Sequence, residues 1–571
     1  MRPLLPFLKL PFLFAFQGNR MLLATIAALL MAIQFAYSQG LQSSGYFKLQ
    51  SFVYHAENIE PRYQNFTYTV SGNYSLAWEN FKLPLSFIFS DRQQPYRQPF
   101  NRSGIAPTWS WGKAQFGYGN MRFSPFTLAG VTFLGAGFDI NPGKFRLGAM
   151  AGRLNREIRL DSFATHRQTP SFARTGYALK LGVGSEKNFF DLVFFKAKDH
   201  VGSLPDFYTN SILQAKENMA LGATSRFLFA EKWALELDAA VSAFTRDAGA
   251  LETEVRALNF LKSFFPARLS TTLLTAGQAA FGYQSRDFGL KLQYHRVEPG
   301  YQTMGAYFFQ SDVENLTLNA RFNAAQRKLR FQGSFGLQRD NLFHHRFATT
   351  HRLIGSARVF AQPSPKYGVD FAFFNYGVQQ QTPPGLLQDT VLFSQVNQSF
   401  LLTNRFTFLR PEVLHNFVFT NNYQVIHFEQ GSTFDPLTTR IFMTNLHYLL
   451  QWQLTGWGIS TNLNFLRSVQ EGAALAANWP GFAIGVSKNF PAKGMAANLT
   501  ASLTQAFQGG EKKSDTWMFS AFGSVRLAQR HSLFVQAGYL KNSAPEAFNG
   551  LSTFSEFRGN VGVNLSIASG R

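Results

Sequence analysis

The sequence predicts an all-β fold, a transmembrane antiparallel barrel of about 24 strands, an even number in the range of roughly 24–26. Three observations lead there. The first is alternation: from about Gly45 to Ile567, stretch after stretch of roughly ten residues places an apolar side chain at every second position. Leu316, Leu318, Ala320 and Phe322 interleave with Thr317, Asn319, Arg321 and Asn323, and Val561, Val563, Leu565 and Ile567 interleave with Asn560, Gly562, Asn564 and Ser566. Successive side chains of a strand point to opposite faces, so each stretch has one greasy and one wet face. The second is length. Strands of a soluble sandwich usually run about five or six residues, whereas these are long enough to cross a bilayer when tilted. The third is composition: 16% of residues are aromatic and 63 are Phe, a surplus that a lipid-facing wall with interfacial girdles uses and a soluble core does not need. Mean hydropathy is only −0.11 because the wet faces offset the greasy ones. With no cysteine in the 571 residues, cohesion falls to backbone pairing, which a closed barrel completes without an edge.

Residues 1–38 are different in kind. Leu22 to Ala36 is an apolar run after Arg20, and Ala36-Tyr37-Ser38 is a small-x-small cleavage site, so the segment reads as a secretory signal with the mature chain starting at Gln39. An N-terminal membrane anchor is the alternative, and the run is at the short end for spanning. The block before Met21 holds three prolines, which suits Met21 as the true initiator. Residues 39–571 then form a single outer-membrane barrel domain. No later window holds the roughly twenty apolar residues that a spanning helix needs.

Along the barrel, tight turns and long connections take turns. Short turns are expected at Asn141-Pro142-Gly143, Glu186-Lys187-Asn188, Ala230-Glu231-Lys232, Ser285-Arg286-Asp287, Arg410-Pro411-Glu412 and Ala528-Gln529-Arg530. Longer Pro/Gly-bearing stretches lie between them, near 154–175, 199–215, 246–276, 299–312, 378–396 and 540–555. Short turns at the periplasmic mouth and long loops outside is the usual barrel pattern. A count of candidate strands gives about 25, and single-chain bacterial barrels favour even numbers. Parity is restored if Trp109–Gly119 is outside the wall and residues 90–125 fold inward as a loop. Such a loop would carry Arg92, Arg97, Arg102, Lys113 and Arg122 into the lumen as a basic constriction. A long surface loop plus a misjudged strand is the other reading.

The stretch Gly119–Arg156, with its Asn141-Pro142-Gly143-Lys144 turn, followed by Asp191–Asp199 (DLVFFKAKD), resembles a family of outer-membrane β-barrel proteins of Bacteroidota type. The resemblance is specific over Gly119–Asp199 and generic elsewhere. It implies the barrel fold and a Gram-negative outer-membrane location and brings no established activity. One departure concerns the end of the chain, Ile567-Ala568-Ser569-Gly570-Arg571, where such barrels usually end on an aromatic residue read by the barrel-assembly machinery. Either Phe557 to Ile567 serves as that signal, or recognition tolerates Ile.

The charge is +21, from 54 basic and 33 acidic residues. In a soluble protein this would suggest nucleic acid. Here the cations do not cluster; they scatter through lumen positions (Lys180, Lys291, Arg321, Arg330, Arg526) and loops (Arg92, Arg97, Arg102, Lys512, Lys513), so no nucleic-acid partner is expected. A lumen or rim that favours anions is one implication, including the phosphates of outer-membrane lipid and lipopolysaccharide. General surface charge without a specific partner is the other.

No enzyme, metal or cofactor is expected. His344, His345 and His351 lie close together but match no ligand spacing. His295 shares a strand face with Lys291 and Gln293 and has no serine at a useful spacing, and His427 and His447 have no evident partner. Asp199-His200 sits at a strand end, where barrel proteases place such residues. Gly-x-Gly at Gly135–Gly137 lies within a strand, and no phosphate-loop lysine follows. Two function classes stand. One is porin-like passive transport of polar or anionic solutes. The other is a non-enzymatic accessory barrel in an outer-membrane assembly, secretion or surface-export complex.

Overall fold

The computed structural model describes residues 42–569 apart from 92–98, 160–169, 206–212, 257–261, 308–309, 346–348, 350, 380–392, 431–436, 473–475, 529 and 546–552. The expected export signal, Arg92 and Arg97 therefore lie outside the described residues. The wall opens with β1 (Gln42–Glu57), β2 (Phe66–Trp78), β3 (Phe81–Ser90), β4 (Arg102–Ile105), β5 (Thr108–Trp109) and β6 (Gly112–Arg122). It continues through β7 (Ala129–Ile140), β8 (Phe145–Asn155), β9 (Arg174–Gly184), β10 (Phe189–Asp199), β11 (Glu217–Phe229) and β12 (Trp233–Thr245). Next come β13 (Thr271–Gln284), β14 (Phe288–Val297), β15 (Val313–Ala324), β16 (Leu329–Arg339), β17 (His351–Ser364) and β18 (Tyr367–Gln379). Then follow β19 (Phe393–Leu409), β20 (Val413–Gln430), β21 (Leu437–Trp452), β22 (Trp457–Gln470) and β23 (Ala477–Phe490). The last strands are β24 (Met495–Gln508), β25 (Glu511–Ala528), β26 (His531–Ser543) and β27 (Phe554–Ser569).

Every strand but β4 and β5 pairs antiparallel with the strands next to it in the sequence or across that pair, and β27 closes on β1 from Ser43↔Ser569 to Glu57↔Ser555. β4 and β5 share one place: each pairs with β3 on one side and β6 on the other. Counting them as one interrupted strand makes a closed 26-strand barrel, so the estimate of about 24 is close and the even number holds.

This corrects the reading of the described strand residues within 90–125, from Arg102 to Arg122. Trp109 and Gly112–Gly119, expected outside the wall, are part of it, and β6 pairs with β7 from Gly112↔Ile140 to Arg122↔Ala129. Gly104, Pro107, Gly112 and Gly117 break the alternation there, so the sequence reads as loop although the backbone still pairs. Gly117 shows why: its φ is +87° and an added Cβ would lie 2.6 Å from the Ser103 carbonyl oxygen.

Register assigns the faces. On β15 the side chains of Leu316, Leu318 and Phe322 point outward and stay 47%, 43% and 44% exposed, as befits residues that only lipid can cover. Exposed aromatics ring the end that carries the short turns, among them Trp78, Phe81, Phe145, Trp233, Phe288 and Trp457, as in an interfacial girdle. Both ends of the described chain lie at this mouth, which the turn-length rule assigns to the periplasm.

At about 4.8 Å per strand and a tilt near 40°, 26 strands drawn as a circle give a wall roughly 50 Å across. Side chains alone do not fill such a lumen. Two connections at the long-loop mouth fold into it, 123–128 and 298–307. Phe123 and Leu128 from the first and Met304 from the second bury against inward residues of β7–β12, including Phe133, Met150, Val193, Phe195 and Phe244. The Tyr301 hydroxyl donates to the Phe126 carbonyl at 2.6 Å, Thr303 Oγ1 to the Thr127 carbonyl at 3.0 Å, and the Ala129 N–H to the Gly305 carbonyl at 2.8 Å. The Met304 N–H donates to Asn218 Oδ1 at 3.0 Å, which ties the tuck to the wall. Tyr301 is completely buried, and that burial pushes its phenol above its ordinary range. Among the described residues, the inward fold is made by these connections.

Candidate functional site: a basic ring at the short-turn mouth

The lumen has two arcs. Along β19–β22 the inward side chains are amides and hydroxyls that bond one another: Ser399 with Asn422, Thr403 with Thr420, and Asn445 with Asn462 in reciprocal bonds of 3.0 and 3.1 Å. The alternation continues inward on β24 and β27 with Asn498, Thr500, Ser502, Asn560 and Asn564. Along β7–β14 the half nearer the long loops is covered by the tucked connections, and the half nearer the short turns is charged.

That charged half begins a ring. Arg146 on β8 grips Asp191 on β10 through two bonds of 2.6 and 2.9 Å, with the guanidinium 4.2 Å over the Phe189 ring. Lys180 on β9 meets Asp139 on β7 at 2.5 Å. Glu236 on β12 takes Lys291 from β14 at 2.7 Å and faces Arg226 from β11 at 3.6 Å. Asp238 accepts from Thr224 and, at 2.7 Å, from Gln278. Arg358 and Asp370 pair across β17 and β18. Each of these residues lies within about six positions of a short turn, so the pairs share one level.

Other cations at that level have no carboxylate partner among the described residues. Arg321 donates to the Ser285 carbonyl at 2.8 Å, Arg330 lies 4.3 Å over the Phe360 ring, and Lys48 lies 5.3 Å from the Phe534 ring. Lys113, Arg405 and Arg526 point inward by register near the short-turn ends of β6, β19 and β25 and are exposed or half-buried. The ring therefore carries a surplus of positive charge.

Of the residues expected to form the constriction, Arg102, Lys113 and Arg122 are described, and they do not share one level. Lys113 belongs to the ring. Arg122 is nine positions further along β6, about 30 Å away at the rise of a strand, and Arg102 also sits toward the long-loop end. Lys180, Lys291, Arg321, Arg330 and Arg526 face the lumen, as alternation indicates. What the linear reading missed is their common level, which becomes visible once each cation is counted from its nearest short turn.

The histidines and the strand-end acid are bound up in local structure. Asp199 receives Arg174 at 2.7 Å and the Lys216 N–H at 3.0 Å, while His200 Nε2 lies 2.8 Å from Thr175 Oγ1. His295 packs against the Phe126 ring, and His427 Nδ1 lies 3.0 Å from Thr438 Oγ1. His345 contacts the Phe343 ring, and β17 begins at His351.

A closed wall, an outward apolar band with an aromatic girdle, and a polar lumen define a transmembrane β-barrel of the outer-membrane kind. No protein-family model and no curated protein matches the chain. Among solved structures, the copper transporter OprC is 9% identical, with 92% of this chain and 80% of that chain covered and a TM-score of 0.42. The P pilus usher (PapC) translocation pore is 10% identical, covering 92% and 100%, with a TM-score of 0.34. Acinetobacter baumannii OccAB2 is 8% identical, covering 69% and 98%, with a TM-score of 0.31. Likeness at this level carries nothing about activity.

Proposed function

We propose that this barrel is a passive conduit of the outer membrane for polar solutes, with a preference for anions set by the basic ring. The observation that carries the reading is the surplus of inward cations at one level of a lumen whose opposite arc is lined by amides and hydroxyls. Hydrogen-bonding side chains let water and polar solutes pass without desolvation, and clustered positive charge raises the local concentration of anions. The chain does this without chemistry of its own, and delivery to the outer membrane follows export by the N-terminal signal.

Single-channel recording of the purified mature protein in a planar bilayer tests this. Steady conductance is expected, with a reversal potential in a KCl gradient on the chloride side. Arg330→Gln combined with Arg405→Gln should move that potential toward the cation side. Silence from protein shown to be folded would sink the conduit reading and favour an accessory barrel, whose partners would then be sought by co-purification.

A further inference from the structure

The outward face of β9–β14 departs from the even apolar band found elsewhere. Its middle strands present small side chains outward, Ala223 on β11, Ala239 on β12, and Gly277 and Ala279 on β13, while Leu179, Leu181 and Leu192 rise on one flank and Tyr294 on the other. A groove of about 760 Å³ results. The connection between β12 and β13 folds back over the outside of the wall, burying Phe265 completely against Met219, Ala243 and Ala267. Beside it the Phe264 ring meets Tyr177 and Phe194 at centroid distances of 6.3 and 5.9 Å. Lys196 is held beside this connection by Glu217 at 3.2 Å and by the Phe264 carbonyl.

Charge marks the other corner. Arg296, which lines the groove, lies 3.5 Å from Glu314, and the same carboxylate also takes Arg339 and the Tyr294 hydroxyl. Two guanidiniums thus share one carboxylate. The Arg296 and Arg339 side chains remain 39% and 47% exposed, so donors are left over. They sit at the long-loop ends of β14 and β16, where the apolar band gives way to headgroups.

We infer that this groove is a binding site for one phosphate-bearing lipid. An acyl chain lies over Ala223, Ala239 and Gly277, beside the stretch of wall that Phe264 and Phe265 cover, and the phosphate takes the spare donors of Arg296 and Arg339. Guanidinium and phosphate match in geometry and charge, and a wall that meets lipid everywhere else gains a fitted contact only where its outward residues are small. The site stands independently of conduction.

Native mass spectrometry of the full mature barrel in mixed micelles containing phosphatidylglycerol or phosphatidylcholine tests it. One phosphatidylglycerol should be retained per chain, at least tenfold more than phosphatidylcholine. Ala239→Leu with Ala279→Leu fills the groove, and Arg296→Gln with Arg339→Gln removes the charge; each pair should abolish retention. Ala501→Leu, outward on β24 and far from the groove, should leave it unchanged. Heat-dependent gel mobility verifies that every variant is folded. Retention that survives groove filling, or equal retention of both lipids, overturns the site. A dimer dispersed by the same leucines also overturns it, in favour of a second copy of the chain.

Discussion

Asp191→Ala isolates a buried charge whose partner cannot leave. The Asp191 side chain is 2% exposed and that of Arg146 11%, and the two form a bidentate pair at 2.6 and 2.9 Å. Removing the carboxylate strands the guanidinium with a 3.4 Å bond to the Ser185 carbonyl and its face on Phe189. Losing one member of a buried pair typically costs about 3–5 kcal/mol, most of it the penalty of the uncompensated charge. The penalty disappears when both members go, so Arg146→Met with Asp191→Leu should fall within about 1.5 kcal/mol of the parent. Urea unfolding in lipid bilayers, followed by the band shift between folded and unfolded barrel, measures both. The single variant should also turn the channel further toward anions, because one more cation at the ring goes unneutralised. A cost below about 1 kcal/mol for Asp191→Ala, or equal costs for the single and double variants, would refute the assignment of this pair as a closed buried unit.

Gly182→Ala should damage the same pair from the opposite side, because the new Cβ would fall 2.0 Å from Asp191 Oδ1 and 2.7 Å from the Phe190 carbonyl oxygen; overpacking of this kind costs about 1–3 kcal/mol, read from the same unfolding curves. Tyr301→Phe deletes the buried hydrogen bond to the Phe126 carbonyl, so a loss of about 0.5–1.5 kcal/mol is expected, together with earlier cleavage of the 298–307 connection, which holds no Lys or Arg but carries Tyr307, read by limited chymotrypsin digestion. Replacing residues 299–306 with a short glycine–serine link should raise single-channel conductance, since those residues occupy lumen volume.

Much of the fold was legible because a barrel writes its geometry into every second residue. Leu316 to Phe322 and Val561 to Ile567 declared both strand and face, and the turns at 141–143, 186–188, 230–232, 285–287 and 410–412 fall where strands end. The interrupted strand β4–β5 was not legible, since Pro107 and the nearby glycines erase the alternation on which that reading depends. The tucked connections escaped for a different reason. Phe123, Phe126, Tyr301 and Met304 are apolar residues in segments with no periodicity, and nothing local says that a loop turns into a lumen instead of outward. The basic ring lay between these cases: each cation could be assigned inward from its strand, but their shared height needs the register of the whole wall.

The junction of β1 with β27 has a consequence for the order in which the molecule can form. Tyr54 meets Glu556 there at 2.7 Å across 502 positions of sequence. The two strands pair over nearly their full lengths, so most of that ladder appears only after the last strand has been made. Until then the growing sheet has two raw edges, one at β1 and one at its newest strand, each with a row of unpaired N–H and C=O groups. Contacts of such separation form slowly, because loop closure must precede any gain from them. Folding of this chain is thus a race between ring closure and edge-to-edge aggregation, and whatever shields the β1 edge until closure decides the yield.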